Sequence, residues 1–205
     1  ITHIIVTHSH LDHSPLSRAL RTATGAPVYA FGGPKAGRSG VMSRLAVRGL
    51  AGGGEGIDTE FSPDTALGDG EFIRGDGWGL EVIHTPGHLG NHIALAWGYA
   101  CFTADHVMGW ASSLVSPPDG DLTDFMASVR RRRARDWRIF YPGHGAPITD
   151  PDGRLDWLIA HREAREAAII DALRSGPARP GDLTARIYTE TPAALLLAAE
   201  RNVLA

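Results

Sequence analysis

The segment His8-Ser9-His10-Leu11-Asp12-His13 constrains this chain more than any other. It sets four side chains able to bind a metal within six residues, directly after the apolar, β-branched run 4–6, which reads as a buried strand. Alternate residues of an extended segment point the same way, so His8 and His10 can converge on one point. Asp12 and His13 follow as the chain turns toward a helix. Ser14-Pro15 reads as an N-cap and first helical position for a helix over 16–24, stopped by Gly25. Burying such a set with no partner would leave several polar groups unpaired, which is costly. Imidazole and carboxylate suit zinc, and manganese or iron accept the same ligands. Cys101 is the single cysteine. That excludes a disulfide framework and a multi-cysteine zinc site, and favours an open site that keeps room for water.

Composition closes off other classes. At 43% hydrophobic and 21% charged residues the chain can bury a core, and no apolar run is long enough to span a bilayer. A net charge of −3 gives no global basic field for nucleic acid. The expected location is cytoplasmic.

Strands are predicted over 27–31, 80–83, 92–97, 99–102 and 139–141, with turns at Gly68-Asp69-Gly70, Gly75-Asp76-Gly77 and Gly98. Helices are predicted over 121–135 with Asp121 as N-cap, from about 152 to 174, over 183–188, and from Pro192 to about 204. The stretch 32–56, with Gly52-Gly53-Gly54 near its end, reads as a long mobile loop with one helical turn near 41–47. This alternation gives an α/β (α+β) layered architecture.

Three later residues share one setting, a Gly- or Pro-flanked turn beside a predicted strand: His88 in His84-Thr85-Pro86-Gly87-His88, Asp105 in Thr103-Ala104-Asp105-His106, and His144 in Pro142-Gly143-His144-Gly145. With them the chain resembles the metallo-β-lactamase superfamily of hydrolases. The pattern His8-x-His10-x-Asp12-His13, then His88, Asp105 and His144, matches that family's metal signature in order. The resemblance implies an αββα sandwich over residues 1–150, with the family's N-terminal strands missing from this chain. It implies two Zn2+ ions (or Mn2+ or Fe2+), His8, His10 and His88 on one, Asp12, His13 and His144 on the other, and Asp105 bridging.

The stretches Asp105-His106-Val107-Met108-Gly109-Trp110 and Pro117-Pro118-Asp119-Gly120-Asp121 resemble relatives that carry a small C-terminal winged-helix-like domain. Residues 151–205 then form a helical linker and part of that domain, without its wing strands. The implied activity is a dinuclear hydrolase in which a metal-bridging hydroxide attacks an ester, thioester or lactam-like carbonyl. An endoribonuclease on the same metals and a metal-stabilised binding module are the alternatives. Asp12 is the candidate to orient the nucleophile or accept its proton, and His92 the candidate for a substrate or supporting role. His3, His84, His106 and His161 read as structural or supporting, Cys101 as packing.

The expected partner is a small-molecule ester or thioester. RNA and a second copy of the chain, as a homodimer, are further candidates, and no membrane is expected. The run Arg130-Arg131-Arg132-Arg133-Ala134-Arg135 reads as a solvated helix face or, for the RNA alternative, a phosphate contact. Trp78, Trp97, Trp110 and Trp137 read as packing residues, with Trp110 a candidate to line a pocket.

Overall fold

A computed structural model describes residues 1–53 and 55–205. Gly54 of the expected glycine loop lies outside the described residues. Two sheets form the centre. Strands β1 (Ile4–Ile5), β2 (Val28–Ala30) and β3 (Thr65–Ala66) pair in parallel, in that order. Strands β4 (Phe72–Gly75), β5 (Trp78–His84), β6 (Ile93–Trp97) and β7 (Ala100–Ala104) run antiparallel, and β8 (Ile139–Pro142) joins β7 in parallel.

The layers follow from the two-residue period of the strands. In β6, Ile93 and Leu95 face the first sheet, where Val82, Ile73 and Leu67 meet Ile5, Tyr29 and Phe31. Ala94 and Ala96 face the other way, with Ile83, Cys101 and Phe140, onto Phe125, Met126 and Val129 of helix α3 (Leu122–Arg133) and Leu155 and Leu158 of helix α4 (Pro151–Leu173). On the outer face of the first sheet, Ile4, Val6, Val28 and Ala30 pack with Leu20 of helix α1 (Leu16–Thr24). The order is helix, sheet, sheet, helix, the expected αββα sandwich. The C-terminal segment is helical: α5 (Pro180–Ile187), a 3-10 turn (Ala193–Leu195) and α6 (Leu196–Leu204).

Local chemistry explains the element ends. Asp121 caps α3 as predicted, its carboxylate accepting from Thr123 N and Asp124 N. Ser14 does not cap α1. Pro15 occupies the cap position, and Ser14 Oγ instead donates to the buried Asp58 carboxylate at 3.0 Å. A buried carboxylate costs more to leave unpaired than a helix end open to water. Between residues 32 and 53 the chain holds more regular structure than the single helical turn expected. This stretch contains a full helix, α2 (Gly40–Val47), capped by Ser39 Oγ. It is fastened by Arg38 to Asp119 (2.5 Å) and by Asn91 Nδ2 to Gly32 O and Gly33 O.

Three of the four tryptophans depart from the packing expectation, Trp78 being exposed although its ring meets His3 edge-on. Trp137 is buried, but Trp97 and Trp110 are 61% and 68% exposed.

Candidate metal centre

Strand ends deliver the site to one edge of the sandwich. Just past β1, Thr7 O accepts from Ile93 N (2.9 Å), which draws His8 against the start of β6. A turn then closes at His10, whose carbonyl accepts from His13 N and Ser14 N, and this swings Asp12 and His13 toward the cluster. His88 lies in the β5–β6 loop, Asp105 directly after β7, and His144 after β8. Ala104 holds φ +44, a left-handed conformation unusual for a residue with a Cβ, at a register shift between β7 and β8. The shift and the strained residue aim Asp105 inward.

Two groups of side chains result. Ligand atoms of His8, His10 and His88 lie within 4.8 Å of one another, and so do those of Asp12, His13, Asp105 and His144. Asp105 Oδ2 sits 3.2 Å from His13 Nε2 and 3.4 Å from His144 Nε2. Asp12 Oδ2 is 3.1 Å from His144 Nε2. Gly143 makes this density possible, because a Cβ there would stand 2.2 Å from Asp105 Oδ1.

Electrostatics prepares these groups for a cation. Burial and the surrounding imidazoles push His8 well below its ordinary pKa. Burial, then the His88 charge, brings His10 to about 3. Both rings are therefore neutral at physiological pH, with lone pairs available. Burial opposes ionisation of Asp105, but the His13 hydrogen bond and the charges of His88, His13 and His144 hold the carboxyl below its usual value. Burial likewise pulls His13 down, and the Asp105 hydrogen bond with the Asp105, Asp12 and Glu55 charges outweighs it, so His13 is raised.

The donor set fits a metal. His8 Nε2, His10 Nδ1, His88 Nε2 and Asp105 Oδ1 are buried and make no hydrogen bond among the described residues, and only those of His10 and His88 have a carboxylate, Glu55, at 3.3 and 3.4 Å. Each such atom costs about 1–3 kcal/mol if nothing covers it. The opposite nitrogen of His88 is satisfied, Nδ1–H donating to Leu114 O at 2.7 Å, which turns Nε2 toward the cluster.

The remaining histidines stand outside the two groups. His92 is fully buried behind His8, ring centroids 4.9 Å apart, with Nδ1 2.7 Å from Thr85 Oγ1. His106 is fully buried and stacks on Phe125. His84 stacks on Phe31, His3 on Tyr29 and His161 on Trp157. Burial pushes the Cys101 thiol up to about 11, which suits packing. One acidic side chain was not anticipated. Glu55 Oε2 lies 3.3 Å from His10 Nδ1 and 3.4 Å from His88 Nε2. It sits in a glycine run with no strand beside it, so no local pattern marks it.

The arginine run is largely the expected solvated face, with Arg130 and Arg131 exposed and Arg133 and Arg135 part-exposed, but its charges are paired rather than free for phosphate. Arg130 pairs with Glu163, Arg131 with Asp69 and the His84 carbonyl, Arg133 with Asp156, and Arg135 with Glu81. Arg132 is buried.

The fold and this cluster define an αββα protein with a His/Asp cluster that could hold metal. Residues 1–144 match the metallo-beta-lactamase superfamily, whose members are typically hydrolases, and the chain belongs to it. It is similar to a beta-lactamase-like protein 2 homolog of Caenorhabditis elegans, 28% identical over 99% of this chain and 62% of that protein. It is also similar to an atrochrysone carboxyl ACP thioesterase of Aspergillus fumigatus, 33% identical over 53% of this chain and 25% of that protein. A solved metallo-beta-lactamase family protein of Thermus thermophilus superposes with a TM-score of 0.77 at 26% identity, covering 100% of this chain and 72% of that one. The chain thus spans less than two thirds of these curated relatives. No helix among the described residues is long and apolar enough to cross a membrane.

Proposed function

We propose that this chain is the metal-dependent part of a hydrolase acting on a small-molecule thioester or ester. His8, His10 and His88 would hold one ion, Asp12, His13 and His144 a second, with Asp105 between them. The observation that carries this reading is the convergence of buried ligand atoms of His8, His10, His88 and Asp105, none of them hydrogen-bonded among the described residues. Zinc suits the donors best, and manganese or iron fit them too. Two such ions, when bound, supply Lewis acidity and make water acidic enough to ionise near neutral pH.

The protein's own residues do the rest. Asp12 is half-exposed, and Oδ2 beside His144 Nε2 is where a proton from incoming water would be held. Asp105, fully buried, stays ionised between His13 and His144. His92 has no exposed atom with which to meet substrate, so it acts by holding His8 in place. Exposed Trp110 stands against the Gly145 turn beside His144, where its indole would cover one side of an acyl group. A cavity of about 630 Å³ lined by Gly33, Pro34, Lys35, Arg38, Ile57 and Asp119 adjoins the cluster through Ile57, the bridge partner of His10. A thioester-cleaving relative supports the substrate class. The paired arginines favour no RNA reading.

We divide the chain into a hydrolase unit, 1–150, and a helical, partly winged-helix-like unit, 151–205, laid against it through Leu155 and Leu158. The test is metal content with a hydrolysis panel. Close to two transition-metal ions per chain and thioester cleavage that Asp105→Ala abolishes are expected. Recovery of no metal after metal-supplemented purification would refute the site assignment.

A further inference from the structure

The C-terminal helices clamp the segment that orients His88. Buried Arg162 of α4 donates from Nη2 to Ser112 O (2.8 Å) and Ser113 O (2.6 Å), and from Nη1 to Asn202 Oδ1 of α6 (3.0 Å). The same Asn202 oxygen accepts from Val115 N at 3.0 Å. Arg201 donates from Nε to Ser116 Oγ (2.8 Å), which donates to Gly53 O (3.1 Å). Leu114 lies between the fastened residues Ser113 and Val115, and its carbonyl accepts the His88 Nδ1–H bond. Ser113 holds φ +60, a conformation that residues with a Cβ adopt only when their surroundings over-determine it. Arg162 grips its carbonyl and Asn202 the amide two residues on, so the surroundings here are α4 and α6.

We propose that Asn202 and Arg162 are positioning residues for the His8, His10 and His88 site. They fix the Leu114 carbonyl, and so the tautomer and aim of His88. The inference rests on the reading of His88 as a metal ligand. Its reason is general. A ligating imidazole needs its other N–H held, and loss of that outer partner typically weakens a metal about 10- to 100-fold. Asn202 acts one link further out, so an effect near the lower end, about 10-fold, is expected. Both donors depend on one oxygen, so Asn202→Ala frees Val115 N and half-frees Arg162, whereas Asn202→Asp keeps the acceptor.

The experiment uses the full chain, stripped of metal and titrated with Zn2+ against a chromophoric chelator, beside metal-free thermal melting. Asn202→Ala should weaken one of two ions about 10-fold and spare the other, and Asn202→Asp should restore it. The weakened ion should be the one that His88→Ala loses. Should Asn202→Ala not fold, Asn202→Ser, too short to reach both donors, carries the same expectation. Unchanged affinities, or equal weakening of both ions together with a lower metal-free melting point, would overturn the proposal and leave α6 a brace only. A wild-type chain that binds no zinc would refute the metal reading itself, which is a different result.

Discussion

Gly143→Ala tests the cluster's geometry with one added methyl group. Gly143 has no left-handed backbone, so alanine suits its conformation, and only space is at issue. The new Cβ would stand 2.2 Å from Asp105 Oδ1 and 3.1 Å from His13 Cε1, where ordinary contact begins at 3.4 Å. One of the groups must move by about 1 Å, and the options are few. Asp105 is fully buried and shares Oδ2 between His13 and His144. Turning its carboxylate away breaks both contacts, while backing the Gly143 turn off breaks the Gly143 N bond to Ala104 O (3.0 Å).

Overpacking of this kind costs about 1–3 kcal/mol. For a chain of this size that is a fall of roughly 2–12 °C in the metal-free melting point. Displacing a ligand by this much should weaken the ion at Asp12, His13 and His144 by about 10- to 100-fold or more. The assay is equilibrium competition with a chelating dye, read beside metal stoichiometry after dialysis. Gly68→Ala serves as control, because a Cβ there meets only Glu71 Oε2 at 3.6 Å. Two ions bound to Gly143→Ala with affinities within about twofold of wild type would show that Asp105 and His13 do not share a metal (twofold is about 0.4 kcal/mol).

The same contacts set three further outcomes. Metal-free protein should lose stability as pH falls below about 6.5. Unfolded imidazoles take up protons there, while folded His10 resists until about 3, so one such group costs up to about 1.4 kcal/mol per pH unit. His8 and His92 add in the same direction, and His13, being raised, works against them; a melting point flat between pH 7 and 5 would contradict this. Trp110→Ala should raise KM for acyl substrates several-fold with metal content unchanged, and an unchanged KM would remove the indole from the substrate path. Joint replacement of Arg130 and Arg133 by alanine should cost no more than about 1 kcal/mol per surface pair. It should leave any RNA affinity and its salt slope untouched, and a flatter slope would restore the phosphate reading.

The legible and illegible parts of this molecule separate by the range of the interactions involved. The candidate histidines and aspartates stand beside strand ends, and a strand end with its turn is a local pattern, so these seven residues could be picked out from short stretches, while the sandwich around them came from the family resemblance those stretches carry. What escaped reading depends on contacts across the chain. Ser14 looked like a cap because its neighbours are helix-starting, and its true partner, Asp58, is 44 residues away. The surface ion pairs of Arg131, Arg133 and Arg135 went unread because their carboxylate partners lie in the β3–β4 connection, on α4 and on β5. Asn202 meets Val115 across 87 residues and carries no motif at all.

That division has a physical consequence for how the site is held. The candidate ligands come from loops after β1, β5, β7 and β8, so no single element sets their mutual distances. His8 Nε2 and Asp105 Oδ1, buried without a partner in the metal-free chain, would cost about 2–6 kcal/mol together, a large share of a domain's stability, while Glu55 stands near the other two donor atoms. Loops alone would relax to hide them. They are kept in place by groups that take no part in the chemistry: the Thr7–Ile93 backbone bond, the Ala104 and Ser113 strained residues, and the Arg162 and Asn202 clamp. A metal-free chain should therefore be preorganised but poorly stable. Zinc should then raise its melting point with little change in far-ultraviolet circular dichroism, since binding the native state alone stabilises by mass action. A large gain of helix or sheet on zinc addition would mean that the metal folds the site, and that the supporting contacts described for Ala104, Ser113 and Asn202 form only after it binds.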